Sequence, residues 1–302
     1  MNRQDLRRKT AFEAVDCISK QAGRAVLDNF DLVCEVRIRS DRPIVIYLLN
    51  KPYYIGTNGE LISPYSCTDL RSICVINQPQ LKDAFVRLCK NSVYKHTDNI
   101  GRGFITAAGG HRIGVCGEAV TENGKVRGAA NITSMNVRIA KEFIGCADNL
   151  TADIDLKQGL LVCGAPGTGK TTVLRDIARS LSLFGRNKVS IVDERYEIAG
   201  QCGTSMGFDV GLCDVYSGYP KSVGMMMAIR TMSPDFIICD ELTGENAEQA
   251  AAAFGCGVSV VASVHCANDA QAKRNRIVRE LISTGSFGSV IYIDQIRKAG
   301  KI

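Results

Sequence analysis

Gly164-Ala165-Pro166-Gly167-Thr168-Gly169-Lys170-Thr171 fits the pattern GxxxxGK[ST] without a gap. Glycines let such a loop wrap with its backbone N–H groups pointing inward. Those groups, with the first turn of a following helix, bind phosphate oxygens. Lys170 is placed to reach the outer phosphates of a nucleoside triphosphate, and the Thr171 hydroxyl to bind Mg²⁺. Thr172 supports the helix start. The expected ligands are ATP and Mg²⁺.

A phosphate loop needs a carboxylate at the end of another strand. Phe236-Ile237-Ile238-Cys239-Asp240-Glu241 supplies a pair. Asp240 is expected to hold the hydration shell of Mg²⁺, and Glu241 to polarise the attacking water. Between the two motifs lies Val189-Ser190-Ile191-Val192-Asp193-Glu194-Arg195. This is read as the strand interposed between the phosphate-loop strand and the Asp240 strand, the mark of NTPases that use a glutamate base. Asp193 and Glu194 are candidates to bind a water or orient the nucleophile, and an ion pair with Arg195 is the structural alternative. The apolar run Val258–Val264 ends at His265, whose imidazole can reach a terminal phosphate. His96 and His111 have no such context.

The elements that must position these residues follow from the apolar pattern. Leu160–Cys163, Val189–Val192, Phe236–Cys239 and Val258–Val264 are apolar runs bounded by glycine or charge, as strands buried on both faces are. Helical periodicity falls at Lys170–Phe184, Ser222–Met232, Ala247–Phe254 and Ala270–Ser283. Strand alternating with helix predicts an α/β fold, a mostly parallel sheet with helices on both faces. The Met225-Met226-Met227 run is read as helix core.

The first half reads as α+β. A helix is predicted over Thr10–Leu27, then strands over Val33–Leu49 broken by a turn at Ser40-Asp41-Arg42-Pro43. Thr57-Asn58-Gly59 separates Tyr53–Ile55 from Leu61–Ile62. A further helix is predicted from Gln80 to Tyr94, with Leu81, Phe85 and Leu88 on one face. Dense glycine from Gly101 to Gly128 predicts hairpins, with tight turns at Gly109-Gly110 and Asn123-Gly124. Polar Asp148–Asp155 reads as a linker. The expected domains are therefore 1–150, an α+β domain, and 151–302, a P-loop ATPase domain.

Composition excludes several classes. Of 302 residues 45% are hydrophobic and 23% charged, ample apolar side chain for a core, so a disordered chain is excluded. No apolar run approaches the ~20 residues of a membrane-spanning helix, and no signal-peptide core follows the charged start. A cytoplasmic protein is expected, able to be recruited to a membrane by a partner. Thirteen cysteines without a CxxC pair argue against structural zinc and for reduced, mostly buried thiols. The net charge of +6 is mild.

The order of phosphate loop, Asp193-Glu194, Asp240-Glu241 and His265 resembles the secretion ATPases of type II and type IV pilus systems. A closer resemblance is to the stage III sporulation protein AA family. It rests on Val192-Asp193-Glu194-Arg195-Tyr196-Glu197-Ile198-Ala199-Gly200 and on Gly224–Asp235. It extends through Glu35–Arg39, Gly109-Gly110-His111-Arg112-Ile113-Gly114 and Asn136–Ala140. The chain departs from the family pattern at Ala165-Pro166-Gly167-Thr168, at Leu242–Asn246 after the acidic pair, and at Cys266 after His265.

The resemblance implies a RecA-like core and an ATPase of the mother cell in endospore-forming bacteria. It implies a ring of identical subunits, a hexamer, that powers a channel joining mother cell and forespore through a membrane-anchored channel protein. A charge-neutralising arginine from the first domain or a neighbouring subunit is expected, with Arg112, Arg138 and Arg230 as candidates. The competing class is a nucleic-acid-associated ATPase, as in relatives with a nucleic-acid domain after the core. With no such domain expected here, nucleic acid is not an expected partner.

Overall fold

The computed structural model describes residues 3–67, 69–89, 100–101, 103–183, 187–201, 204, 206–266 and 268–294. The chain divides into two compact units. One comprises the chain up to Lys141 together with Gly200–Gly207, and the other runs from Glu142 to Ala199 and from Phe208 on.

The first unit runs α1 (Arg3–Asp16), α2 (Lys20–Asp28), β1 (Val33–Arg39), β2 (Arg42–Pro43), β3 (Val45–Leu48), β4 (Lys51–Ile55), β5 (Leu61–Ile62), β6 (Val75–Ile76), α3 (Gln78–Leu88), β7 (Phe104–Thr106), β8 (Arg112–Glu122) and β9 (Lys125–Arg138). Seven strands form an antiparallel sheet in the order β5-β4-β3-β1-β9-β8-β7, and β2 pairs with β6. Val15, Val26, Leu81 and Phe85 of the helices pack with Val36, Ile38, Ile46, Ile113 and Val137 of the sheet.

Three sequence expectations are refined here. The single helix over Thr10–Leu27 is two, because Ser19 takes an extended backbone and its hydroxyl accepts from Ala22 N–H at 3.3 Å, capping α2. Helix α3 starts at Gln78, capped by Asn77, and the expected continuation from residue 90 lies outside the described residues. Asn123 and Gly124 both have positive φ, 51° and 71°, the geometry of a two-residue hairpin turn between β8 and β9.

His111 is fully buried in this unit. Its Nδ1 accepts from Ala140 N–H at 3.0 Å, so the ring proton is on Nε2, which lies 3.3 Å from Arg7 O and 3.2 Å from Thr10 Oγ1. Burial pushes its pKa down to about 4.

The second unit contains α4 (Asp148–Thr151), β10 (Leu160–Gly164), α5 (Lys170–Leu183), β11 (Val189–Asp193), β12 (Asp214–Ser217), α6 (Lys221–Met232), β13 (Phe236–Glu241), α7 (Ala247–Gly255), β14 (Ser259–His265), α8 (Asp269–Arg274), α9 (Arg276–Ser283) and β15 (Ser289–Tyr292). Its sheet is wholly parallel, in the order β12-β11-β13-β14-β10-β15. Successive residues of a strand serve opposite cores. Leu161 and Cys163 pack with Met225, Ala228, Ala250 and Leu281, whereas Leu160 and Val162 pack with Val173, Leu174 and Ile177. Burial on both faces is why these strands read as continuous apolar runs.

This order corrects one expectation. The strand between the phosphate-loop strand β10 and the Asp240 strand β13 is β14, which ends in His265, and β11 lies on the far side of β13. Chain order had placed β11 there, but a crossover helix lets a strand skip a neighbour. The predicted helix over Ala270–Ser283 is also split. Asn275 is extended, and its side chain accepts from Ile277 N–H at 2.8 Å to start α9. The stretch read as a linker is α4 and its flanks, with Leu150 and Ile154 packed on the second unit's core.

The Gly200–Gly207 excursion departs from the loop after β11 and groups with the first unit. The Arg7 guanidinium donates twice to Gly207 O, each at 3.2 Å. A Cβ on Gly207 would come within 2.4 Å of Gly110 N, so only glycine fits there. Among the described residues no helix is long and apolar enough to cross a membrane, and the described cysteines are free.

Candidate nucleotide site

The loop Gly164–Gly169 joins β10 to α5 with Gly167 and Gly169 at φ of 78° and 99°. A Cβ on Gly164 would lie 2.7 Å from both Ile293 O and Thr168 Oγ1, so this corner closes only around glycine. Pro166 follows Ala165, whose carbonyl accepts from Thr168 Oγ1 at 2.9 Å and ties the loop across its base. Lys170, Thr171 and Thr172 form the first turn of α5, with the two threonines half-buried.

Lys170 is almost wholly buried. Its ammonium donates to Gly164 O at 2.8 Å, Ala165 O at 2.9 Å and His265 Nδ1 at 2.8 Å. Burial lowers its pKa, opposed by Glu241. An ammonium only donates, so Nδ1 accepts and His265 carries its proton on Nε2. That nitrogen lies 3.2 Å from Glu241 Oε2. The result is a continuous line, Lys170 to His265 to Glu241.

Strand register builds this line. His265 pairs with Gly164 across β14 and β10, so the imidazole stands at the root of the loop. On its other side, β13 slips against β14 between Cys239 and Glu241. Such a bulge re-aims side chains at a strand end. Here it brings Glu241 opposite Ser263, beside His265, while Asp240 stays buried. Arg195 Nη1 also reaches Glu241 Oε2 at 3.4 Å, in preference to its acidic neighbours in sequence.

A second group lies at the ends of β11 and β13. Lys221, at the start of α6, places its ammonium 2.8 Å from Asp240 Oδ1 and 2.8 Å from Glu194 Oε2. Asp240 has its pKa raised to about 6 by burial, against the opposing pull of Lys221. Asp193 is not part of either group. Its carboxylate is spent on the following loop, accepting from Glu197 N–H at 2.8 Å, Ile198 N–H at 3.1 Å and Ala199 N–H at 2.9 Å. Burial raises its pKa and these bonds counteract the rise. Arg175 holds the same loop from the other side, donating to Ile198 O and Glu197 O at 2.7 Å each, over the face of Phe208.

Arg112 and Arg138 face each other across β8 and β9 in the first unit, with Arg112 over the ring of Phe104. Arg230 is exposed in the last turn of α6. Sequence reasoning missed Lys221 and the Arg195–Glu241 pair. A lysine at a helix start, where the macrodipole disfavours a cation, was the available signal for Lys221.

The sequence model of the family described as "Sporulation stage III, protein AA" matches residues 11–302. The chain belongs to the stage III sporulation protein AA family. It is 33% identical to stage III sporulation protein AA of Bacillus subtilis over 89% of this chain and 84% of that protein. Similar solved structures show the fold. The pilus retraction motor PilT, solved with ADP bound, superposes with a TM-score of 0.56 at 15% identity, over 88% of this chain and 76% of that one. The Legionella pneumophila ATPase DotB superposes with a TM-score of 0.50 at 16% identity, over 86% of this chain and 68% of that one. This member of the sporulation AA family thus has the RecA-like fold that PilT and DotB share.

The donor set suits a hard cation brought in by phosphate. Thr171 offers a hydroxyl and Asp240 a carboxylate, both oxygen donors. Among the described residues no cluster of three or more His, Cys, Asp or Glu could hold a metal alone. Mg²⁺ characteristically relies on one or two protein oxygens plus substrate phosphates, and these residues fit that habit.

Proposed function

We propose that this chain hydrolyses ATP, and that the observation carrying this reading is the line from Lys170 through His265 to Glu241. A phosphate loop alone supports binding. A carboxylate wired to the loop lysine supports turnover, because the group that meets phosphate and the group that handles water then share one path. In this reading the loop N–H groups and Lys170 bind the phosphates of ATP, with Thr171 and Asp240 as the residues that would hold Mg²⁺. Bound there, Mg²⁺ would neutralise phosphate charge. Glu241 accepts a proton from the attacking water, with Arg195 and His265 fixing its orientation. His265 reports phosphate entry, since an anion that draws Lys170 away also frees Nδ1. Glu194 orients Asp240 through Lys221, and Asp193 shapes the loop behind it.

Family membership supports the finer reading: a motor for a channel between mother cell and forespore, acting as a ring of identical subunits, a hexamer, on a membrane-anchored channel protein. An arginine supplied by a neighbouring subunit would be worth ~10³–10⁵ in rate. Arg112, Arg138 and Arg230 are the candidates.

The test is Glu241→Gln. Turnover is expected to fall by about 10²–10⁴ with ATP affinity retained. Unchanged turnover overturns the assignment. Specific activity should also rise with protein concentration as a large oligomer appears in sedimentation. Flat activity from a monomer would remove the ring from the reading and leave the ATPase.

A further inference from the structure

Lys221 is a buried, doubly paired cation of the second unit that the sequence reading did not use. Its side chain is only 7% exposed, and it bridges the carboxylates of Glu194 and Asp240 at 2.8 Å each. Lysine is almost never buried this far unless paired. The position is costly in two further ways. A cation at a helix start opposes the macrodipole. A buried ion cluster is also often no more stable than apolar residues of like volume.

The packing nevertheless presses Lys221 into place. One turn along α6, a Cβ on Gly224 would come within 2.6 Å of Val192 Cγ1. Glycine lets the helix start ride close against β11 and deliver the ammonium to both strand ends. The surrounding charge is negative, since Asp193 and Glu197 also act on Asp240. Lys221 is the cation that pairs directly with Asp240, at 2.8 Å.

We propose that Lys221 is a resident placeholder for the divalent cation: in the nucleotide-free chain its ammonium holds Asp240 and Glu194 convergent, and it keeps them from capturing free metal before nucleotide arrives. Lys221 is a positioning residue, acting through Asp240. The inference rests on the reading of Asp240 as the metal carboxylate. It adds that metal binding without nucleotide is suppressed by design, so that Mg²⁺ enters with the phosphates.

The test uses the full chain, Mn²⁺ alone and no nucleotide, with bound Mn²⁺ read by electron paramagnetic resonance and thermal unfolding read with and without the metal. Lys221→Met is expected to bind Mn²⁺ at least 10-fold more tightly than the wild type, and to be stabilised by Mn²⁺ where the wild type is not. Lys221→Arg, which keeps the charge, should behave as wild type. The double variant Lys221→Met/Asp240→Asn should lose the gain. Lys221→Met that folds only with Mn²⁺ supports the proposal, since the metal then replaces the ammonium. Equal Mn²⁺ affinity in variant and wild type overturns it, as does a variant that folds neither with nor without the metal. Because no nucleotide is present, these outcomes are independent of whether Glu241→Gln abolishes turnover.

Discussion

The ammonium of Lys170 lies 2.8 Å from Nδ1 of His265, so the phosphate loop lysine is held by the end of the neighbouring strand. Under the proposed function that contact belongs to the nucleotide-free state. Phosphate competes with the imidazole for the ammonium, and release of Nδ1 changes how the ring holds Glu241, 3.2 Å from its other nitrogen. Binding and water activation are thereby linked through one ring.

His265→Ala should separate the two. Lys170 keeps its bonds to Gly164 O and Ala165 O and no longer has to leave the imidazole. ATP affinity is expected to stay within about 3-fold or to tighten, while kcat falls by about 10²-fold, the usual size of a lost positioning or acid–base contact. Fluorescent-nucleotide titration and steady-state kinetics on one preparation decide it. A loss confined to affinity would show that the ring serves binding only.

Asp193 makes the opposite expectation. It accepts three backbone N–H bonds from Glu197, Ile198 and Ala199 and stands in no direct line to the phosphate loop lysine. Asp193→Ala would leave the N–H groups of Glu197, Ile198 and Ala199 without this acceptor, two of them buried, and remove a carboxylate that interacts with Arg175. A cost of about 3 kcal/mol is expected, with Asp193→Asn intermediate because its one oxygen still accepts. Denaturant midpoints check this. If Asp193→Asn keeps full stability yet loses turnover, the residue works on the nucleotide instead of on the loop.

The division between legible and illegible features follows burial and range. The phosphate loop and the four strands β10, β11, β13 and β14 were readable because both faces of each strand are buried, which leaves an unbroken apolar run. The edge strands β12 and β15 were not, since they are only partly buried and carry Asp214, Ser217 and Ser289. The helix break before α2 and the split at Asn275 were written locally, as cap residues, and periodicity overran them. Sheet order was not local at all: nothing in the Val189–Asp193 run says that β14 comes between β10 and β13. Lys221 needed the third dimension as well, since 27 residues separate it from Glu194. The bulge that aims Glu241 depends on a slip between two strands and leaves no mark in either one alone.

Gly224 ties packing to chemistry. A methyl group there would press on Val192 Cγ1 at 2.6 Å, in a wall where Val192 is fully buried. Gly224→Ala removes a helix glycine, which alone would favour α6 by about 1 kcal/mol. Overpacking costs about 1–3 kcal/mol and is expected to prevail. The helix start moves away from β11 and carries Lys221 with it. Lower melting temperature together with weaker turnover is the expected pair of results. A stabilised variant with normal turnover would mean that the helix start has room to adjust.

The buried His111 predicts an acid-sensitive first unit. Its pKa in the folded chain is about 4 against an ordinary 6.5, because burial penalises the imidazolium. The unfolded chain therefore binds the proton more readily between these two values. Stability from this residue is complete above about pH 6.5 and declines by about 1.4 kcal/mol per pH unit as pH falls. It levels off below about pH 4, a total of about 3 kcal/mol. His111→Gln cannot titrate, so it should be less stable than wild type at pH 7.5, through the lost bonds to Ala140 and Arg7, and should close that gap as pH approaches 4. Urea midpoints of both proteins across that range give the comparison. Curves that stay parallel would show that His111 does not carry the acid transition.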